Sequence, residues 1–127
     1  MQSPNLKTSL PTDFWQRLKN GDTVPFQGIG ESMRPFFPSG TWFLLKRDPF
    51  NQITVGNIVL METNGATVLH RVIKIQNGSS KTIFTRGDSY AENDLPWQQE
   101  DYRARVVGVM KESLSQTIDL STLHKAL

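Results

Sequence analysis

No cysteine occurs anywhere in the 127 residues. That excludes disulfides, thiolate metal sites and a thiol nucleophile together. Histidine is almost as scarce, with His70 and His124 alone. No metal-ligand cluster, phosphate loop or nucleotide fingerprint can be read, so no cofactor and no metal are expected. Long apolar runs are missing as well. The strongest, Trp42-Phe43-Leu44-Leu45, has strand length and falls far short of the roughly 18 residues of a membrane span. Met1 to Pro11 is polar and lacks the apolar core of a secretion signal. The native-looking Met1 favours a complete soluble chain, so the expected location is the cytoplasm. Recruitment to a membrane by a partner, or through a missing anchor, is the alternative. Excess charge is also lacking. The formal net charge is +2 with no run of five like charges, which gives no reason to expect a nucleic-acid partner.

What is present fits one mostly-β domain of ordinary composition, with 37% hydrophobic and 20% charged residues. Its expected extent is 12–111, between an N-terminal tail over 1–11 and a C-terminal extension over 112–127. Pro11 to Gly21 predicts a short helix. Thr12 would cap it, Gly21 would end it, and Phe14, Trp15 and Leu18 would form its apolar stripe. A short strand or extended lead-in is then predicted over Asp22–Ile29, and short strands near Thr41–Lys46, Ile58–Glu62, Thr67–Ile75, Thr82–Thr85 and Arg103–Lys111. Asn64-Gly65 is a strong hairpin turn. Alternation along Thr67–Ile75 puts Val68, His70, Val72 and Lys74 on one face, and Leu69, Arg71, Ile73 and Ile75 on the other. Gly87 to Asp101 reads as a long functional loop, and Leu120 to Leu127 as a short helix capped by Ser121. Many short, closely spaced strands imply a barrel-like or sandwich domain.

Three stretches carry the chemistry. Gly30-Glu31-Ser32-Met33-Arg34-Pro35 holds a hydroxyl between a glycine-marked turn and a proline. Val68-Leu69-His70-Arg71-Val72-Ile73 supplies an imidazole, and Arg86-Gly87-Asp88 through Asp94 supplies carboxylates. A serine oxygen becomes an effective nucleophile when a base takes its proton, and imidazole suits that task near neutral pH. A carboxylate then fixes the imidazole tautomer and stabilises the imidazolium. The candidate set is Ser32, His70 and one of Asp88 or Asp94. Arg71 is expected either to pair with one of these acids or to be solvated. Met33 is expected as a core plug beneath the turn, and Trp97 as core or cleft wall.

The Ser32 stretch resembles the nucleophile box of type I signal peptidases, where Ser-Met is followed by a proline two residues on. Val55-Gly56-Asn57-Ile58-Val59 is similar to their Val-Gly-Asp-Ile-Val segment, with Asn57 in the aspartate position. His70-Arg71-Val72-Ile73 resembles the general-base box of the endoplasmic-reticulum, archaeal and sporulation type, which carries histidine where other bacterial members carry lysine. Thr85-Arg86-Gly87-Asp88-Ser89 through Asp94 is similar to the family's Lys-Gly-Asp-Asn box, and Val106-Val107-Gly108 to its closing strand. The matches keep their order over about residues 26–110.

The resemblance implies the β fold shared by signal peptidases and self-cleaving repressor domains. It also implies a serine endopeptidase that binds its substrate as an added strand. Ser32 becomes the nucleophile and oxyanion donor, and His70 the general base. Asp94 becomes the favoured third member, with Asp88 a competitor or loop organiser. Gly30 stands where many relatives have an oxyanion serine, and Met33 lies near the substrate cleft. Two alternatives remain: a catalytically weak or inactive peptide-binding module on the same fold, and an autoproteolytic regulatory domain; the self-cleaving repressor domains of this fold use a Ser–Lys dyad. Lys74, four residues from His70, does not occupy the matching base position.

Overall fold

The computed structural model describes residues 10–110 and 117–119. Its helix, α1 (Phe14–Lys19), has only six residues, too few to persist in water on helix propensity alone. Docking holds it. Phe14 and Leu18 are buried in the core, each contributing about 2 kcal/mol by removal from water. Asp13 rather than Thr12 is the N-cap residue, and no side chain caps the helix start. Gly21, at φ 92°, follows the helix end as expected. Leu10, expected in the tail, packs against the same core.

The strands are β1 (Val24–Gln27), β2 (Trp42–Lys46), β3 (Ile58–Thr63), β4 (Ala66–Asn77), β5 (Lys81–Arg86), β6 (Tyr102–Met110) and β7 (Thr117–Asp119). They form a mostly antiparallel-β fold with the order β1-β2-β6-β3-β4-β5, and β7 pairs with β6. The Asn64-Gly65 hairpin has both residues at positive φ, 48° and 82°, as a two-residue turn with the right twist requires. The expected helix over Leu120–Leu127 lies outside the described residues.

Residues Ile58 to Met61 are buried on both faces of β3. Ile58 and Leu60 join one apolar cluster with Phe14, Met33, Phe37 and Leu69. Val59 and Met61 join another with Val68, Val72, Ile83 and Trp97. The sheet is therefore covered on both sides, and β4 has no solvent face along its first half.

Two expectations about β4 and the following loop change. The register between β4 and β5 shifts between Val72 and Lys74, so the alternation of faces reverses there. Ile75 consequently packs with Val68 and Val72, and Lys74 leaves the face of His70 for an exposed position over the Phe84 ring. The loop after β5 is also more regular than expected. Trp97 forms a two-bond antiparallel bridge with Ile83, and Gln99–Asp101 is a short 3-10 turn.

Candidate active site

Ser32 sits in the turn that follows β1. Gly30 opens it at φ 106°, a conformation that a side chain would strain, and donates its N–H to Ser39 Oγ at 2.9 Å. Met33 and Phe37, joined by a Phe37 N–H to Met33 carbonyl bond of 2.9 Å, sink into the first cluster. This pins the turn from below, so Met33 is the plug expected. A small apolar hollow lined by Gly28, Gly30, Met33, Phe37, Phe43 and Leu69 adjoins the turn. Glu31 points outward to Arg34, whose hydrogen bond holds its carboxyl below the usual range.

His70 reaches the same place from β4. It shares strand parity with Val68 and Val72, and only 2% of it is exposed. Its Nδ1 lies 2.5 Å from Asp94 Oδ2. Ser32 Oγ and His70 Nε2 are both buried and have no hydrogen-bond partner. Free Nε2 and free hydroxyl are what an imidazole base and its serine need before substrate arrives, since such bonds commonly tighten only on binding.

Gly87 is what lets them approach. Continuing the pairing of Val72 with Thr85 and Arg71 with Arg86 puts Gly87 across from His70. A Cβ built there would stand 3.0 Å from His70 Nε2, 3.0 Å from Ser32 Cβ and 2.8 Å from the Ser32 carbonyl oxygen. His70 and Ser32 thus flank the space that a Gly87 side chain would fill. Gly87 belongs to one of the sequence boxes, but nothing in the sequence marks it as the spacer between two other boxes.

The two acids divide cleanly. Asp94 takes His70 and also accepts from Thr85 Oγ1 at 2.6 Å. Asp88 instead forms a bidentate pair with Arg71, at 2.9 Å from Nε and 2.8 Å from Nη2, while Arg71 Nη1 donates to the Gly56 carbonyl. Asp88 therefore braces the loop, and Asp94 faces the imidazole. Asn57 fills its aspartate-like position as an acceptor, taking the Thr54 N–H at 2.9 Å.

Ser89, singled out by no sequence argument, ties the acid loop to the serine turn. Its N–H donates to the Ser32 carbonyl at 2.9 Å. Its hydroxyl lies 3.0 Å from both the Ser32 and Glu31 carbonyls. Tyr90 meets the His70 ring edge-on with centroids 5.9 Å apart. Among the described residues no group of His, Asp and Glu could hold a metal ion. No described helix is long and apolar enough to cross a membrane.

No family model matches the chain. The signal peptidase complex catalytic subunit SEC11 of Saccharomyces cerevisiae does match, in strains YJM789, RM11-1a and JAY291 among others. Each is 36% identical over 90 residues, covering 65% of this chain and 53% of the relative. The chain thus spans about half the length of these relatives. Over these 90 residues the chain is thus homologous to the SEC11 signal peptidase catalytic subunit, and its mostly-β fold is consistent with that relationship.

Proposed function

We propose that the chain is a serine endopeptidase that cleaves a precursor peptide or protein, with Ser32 as nucleophile, His70 as general base and Asp94 as its carboxylate partner. The observation that carries this reading is the 2.5 Å bond between His70 Nδ1 and Asp94 Oδ2. That bond leaves Nε2 free beside a buried, unpartnered Ser32 hydroxyl.

With Asp94 ionised, His70 carries its proton on Nδ1 and offers the Nε2 lone pair. As Ser32 Oγ attacks the scissile carbonyl, its proton passes to Nε2 and the imidazolium is stabilised by the Asp94 carboxylate. The carbonyl oxygen becomes an oxyanion that the Ser32 N–H accommodates. His70 then gives the proton to the leaving amine, and the acyl-enzyme forms. A water molecule, deprotonated by the same Nε2, hydrolyses the ester and restores Ser32.

The substrate would lie as an extended strand. Among the described residues β1 is an edge of the sheet and runs through Gly28 to Gly30 into Ser32, so its continuation can pair with an incoming peptide. The hollow lined by Gly30, Met33 and Leu69 is small and apolar, which favours small residues just before the scissile bond. Signal-peptide processing is what the name of the SEC11 relatives describes, and a secretory precursor is the first substrate to try. Recruitment to a membrane by a partner fits that substrate.

The test compares wild type and Ser32→Ala on a library of unstructured peptides, read by mass spectrometry. Cleavage by wild type alone, after small residues, is expected. Equal cleavage by Ser32→Ala would remove the serine mechanism. No cleavage by either would count against catalysis and for a peptide-binding scaffold.

A further inference from the structure

Asp94 is held by a hydrogen-bond chain that begins in the core. Trp97 Nε1 lies 2.9 Å from Thr85 Oγ1, and Thr85 Oγ1 lies 2.6 Å from Asp94 Oδ2. Indole nitrogen can only donate, whereas a hydroxyl has one proton to give and lone pairs to accept with. Trp97 therefore occupies an acceptor site on Thr85, and the Thr85 proton turns to the carboxylate. Both residues are buried, Thr85 completely. Backbone bonds fix them as well: Asp94 N–H donates to the Thr85 carbonyl at 2.8 Å, and Trp97 and Ile83 exchange bonds of 2.9 and 3.1 Å.

We infer that Thr85 is a positioning residue for the general base, with Trp97 setting the direction of its hydroxyl. Its donated proton holds Asp94 Oδ2 facing His70 Nδ1, so that the imidazole stays in the tautomer with Nε2 free. A buried chain of such hydrogen bonds fixes orientation. The catalytic consequence rests on the proposed roles of Ser32, His70 and Asp94. The hold of Thr85 on Asp94 and His70 does not, and it can be read without turnover.

Thr85→Val keeps the shape and removes the hydroxyl, Thr85→Ser keeps the hydroxyl, and Trp97→Phe removes the orienting donor together with part of a buried ring. Nitrogen-15 NMR would follow the His70 Nδ1 proton in a His124→Ala background, where a single imidazole remains. Loss of a hydrogen bond to a charged group predicts about tenfold faster exchange of that proton in Thr85→Val, and about tenfold lower kcat at unchanged KM. Thr85→Ser should match wild type in both, and Trp97→Phe should fall between.

A Thr85→Val protein with the exchange rate of wild type would overturn the inference. If Thr85→Val does not fold, Trp97→Phe decides in its place, and unchanged exchange there overturns it equally. Absence of serine-dependent cleavage in wild type would sink the peptidase reading, while the NMR comparison would still decide the role of Thr85.

Discussion

His70 and Asp94 meet at 2.5 Å across 24 residues of chain, whereas Asp88, on the same loop, turns to Arg71. Replacing each acid by its amide should separate their roles. Asp94→Asn can present an N–H to His70 and favour the wrong tautomer, so kcat should fall roughly a thousandfold with the fold intact. Asp88→Asn leaves the mostly buried Arg71 without its counter-charge, which should cost about 2–4 kcal/mol of stability. Activity per folded molecule should change far less. Thermal unfolding and peptide turnover measured on both variants would distinguish them. The reverse pattern would exchange the two roles.

Gly87 gives a sharper steric prediction. Its φ is not in the left-handed region, so Gly87→Ala adds no backbone strain there, only a methyl group wedged against Ser32 and His70. Displacing base or nucleophile by about an ångström can cost about a hundredfold in rate. We expect a loss of that order with the fold retained by circular dichroism. Gly65→Ala is the control. It meets open space at φ 82°, so it should cost roughly 1–2 kcal/mol through backbone strain and leave turnover per folded molecule unchanged.

Local signals account for what was legible before the fold was known. Asn64-Gly65, the helix ending at Gly21 and the alternation around His70 each depend on neighbours within a few residues. What was illegible depends on pairing across strands. The register shift after Val72 turns Lys74 away from His70, and no composition signal marks it. The loop over Gly87–Asp101 reads as irregular because its polar residues dominate, yet Trp97 docks it onto Ile83. That docking puts Asp94 beside Thr85, and hence beside His70. No local signal marks that Asp94, and not Asp88, meets His70.

Tyr102 predicts an alkaline limit to stability. Its hydroxyl donates to the Asp48 carbonyl at 2.6 Å. Burial first, and then the Asp48 charge, push its ionisation well above the usual 10.0. The folded protein therefore keeps the Tyr102 proton over a range in which the unfolded chain has lost it. The unfolded state binds fewer protons there, so stability must fall as pH rises above about 10. Tyr102→Phe should be less stable near neutrality by about 1 kcal/mol, for one lost hydrogen bond. It should also show a shallower decline above pH 10. Urea unfolding at several alkaline pH values measures both. An equal decline in the two proteins would assign the alkaline limit to other groups.

Ser89 tests whether the acid loop holds Ser32, the proposed nucleophile, in register. Its backbone N–H and hydroxyl both reach the Ser32 carbonyl, so removing the hydroxyl leaves one of two ties. Ser89 is exposed, and Ser89→Ala should therefore cost only about 0.5–1 kcal/mol of stability. Its effect on catalysis should be larger in proportion. The lost tie acts on the peptide unit that carries Ser32, where small displacements weigh on rate, and a drop in kcat of about tenfold is expected. KM should change little, because the edge of β1 is untouched. A Ser89→Ala protein with wild-type kcat would mean that the backbone bond alone fixes the turn. Attention would then pass to Met33 and Phe37, which anchor the same turn from the core side.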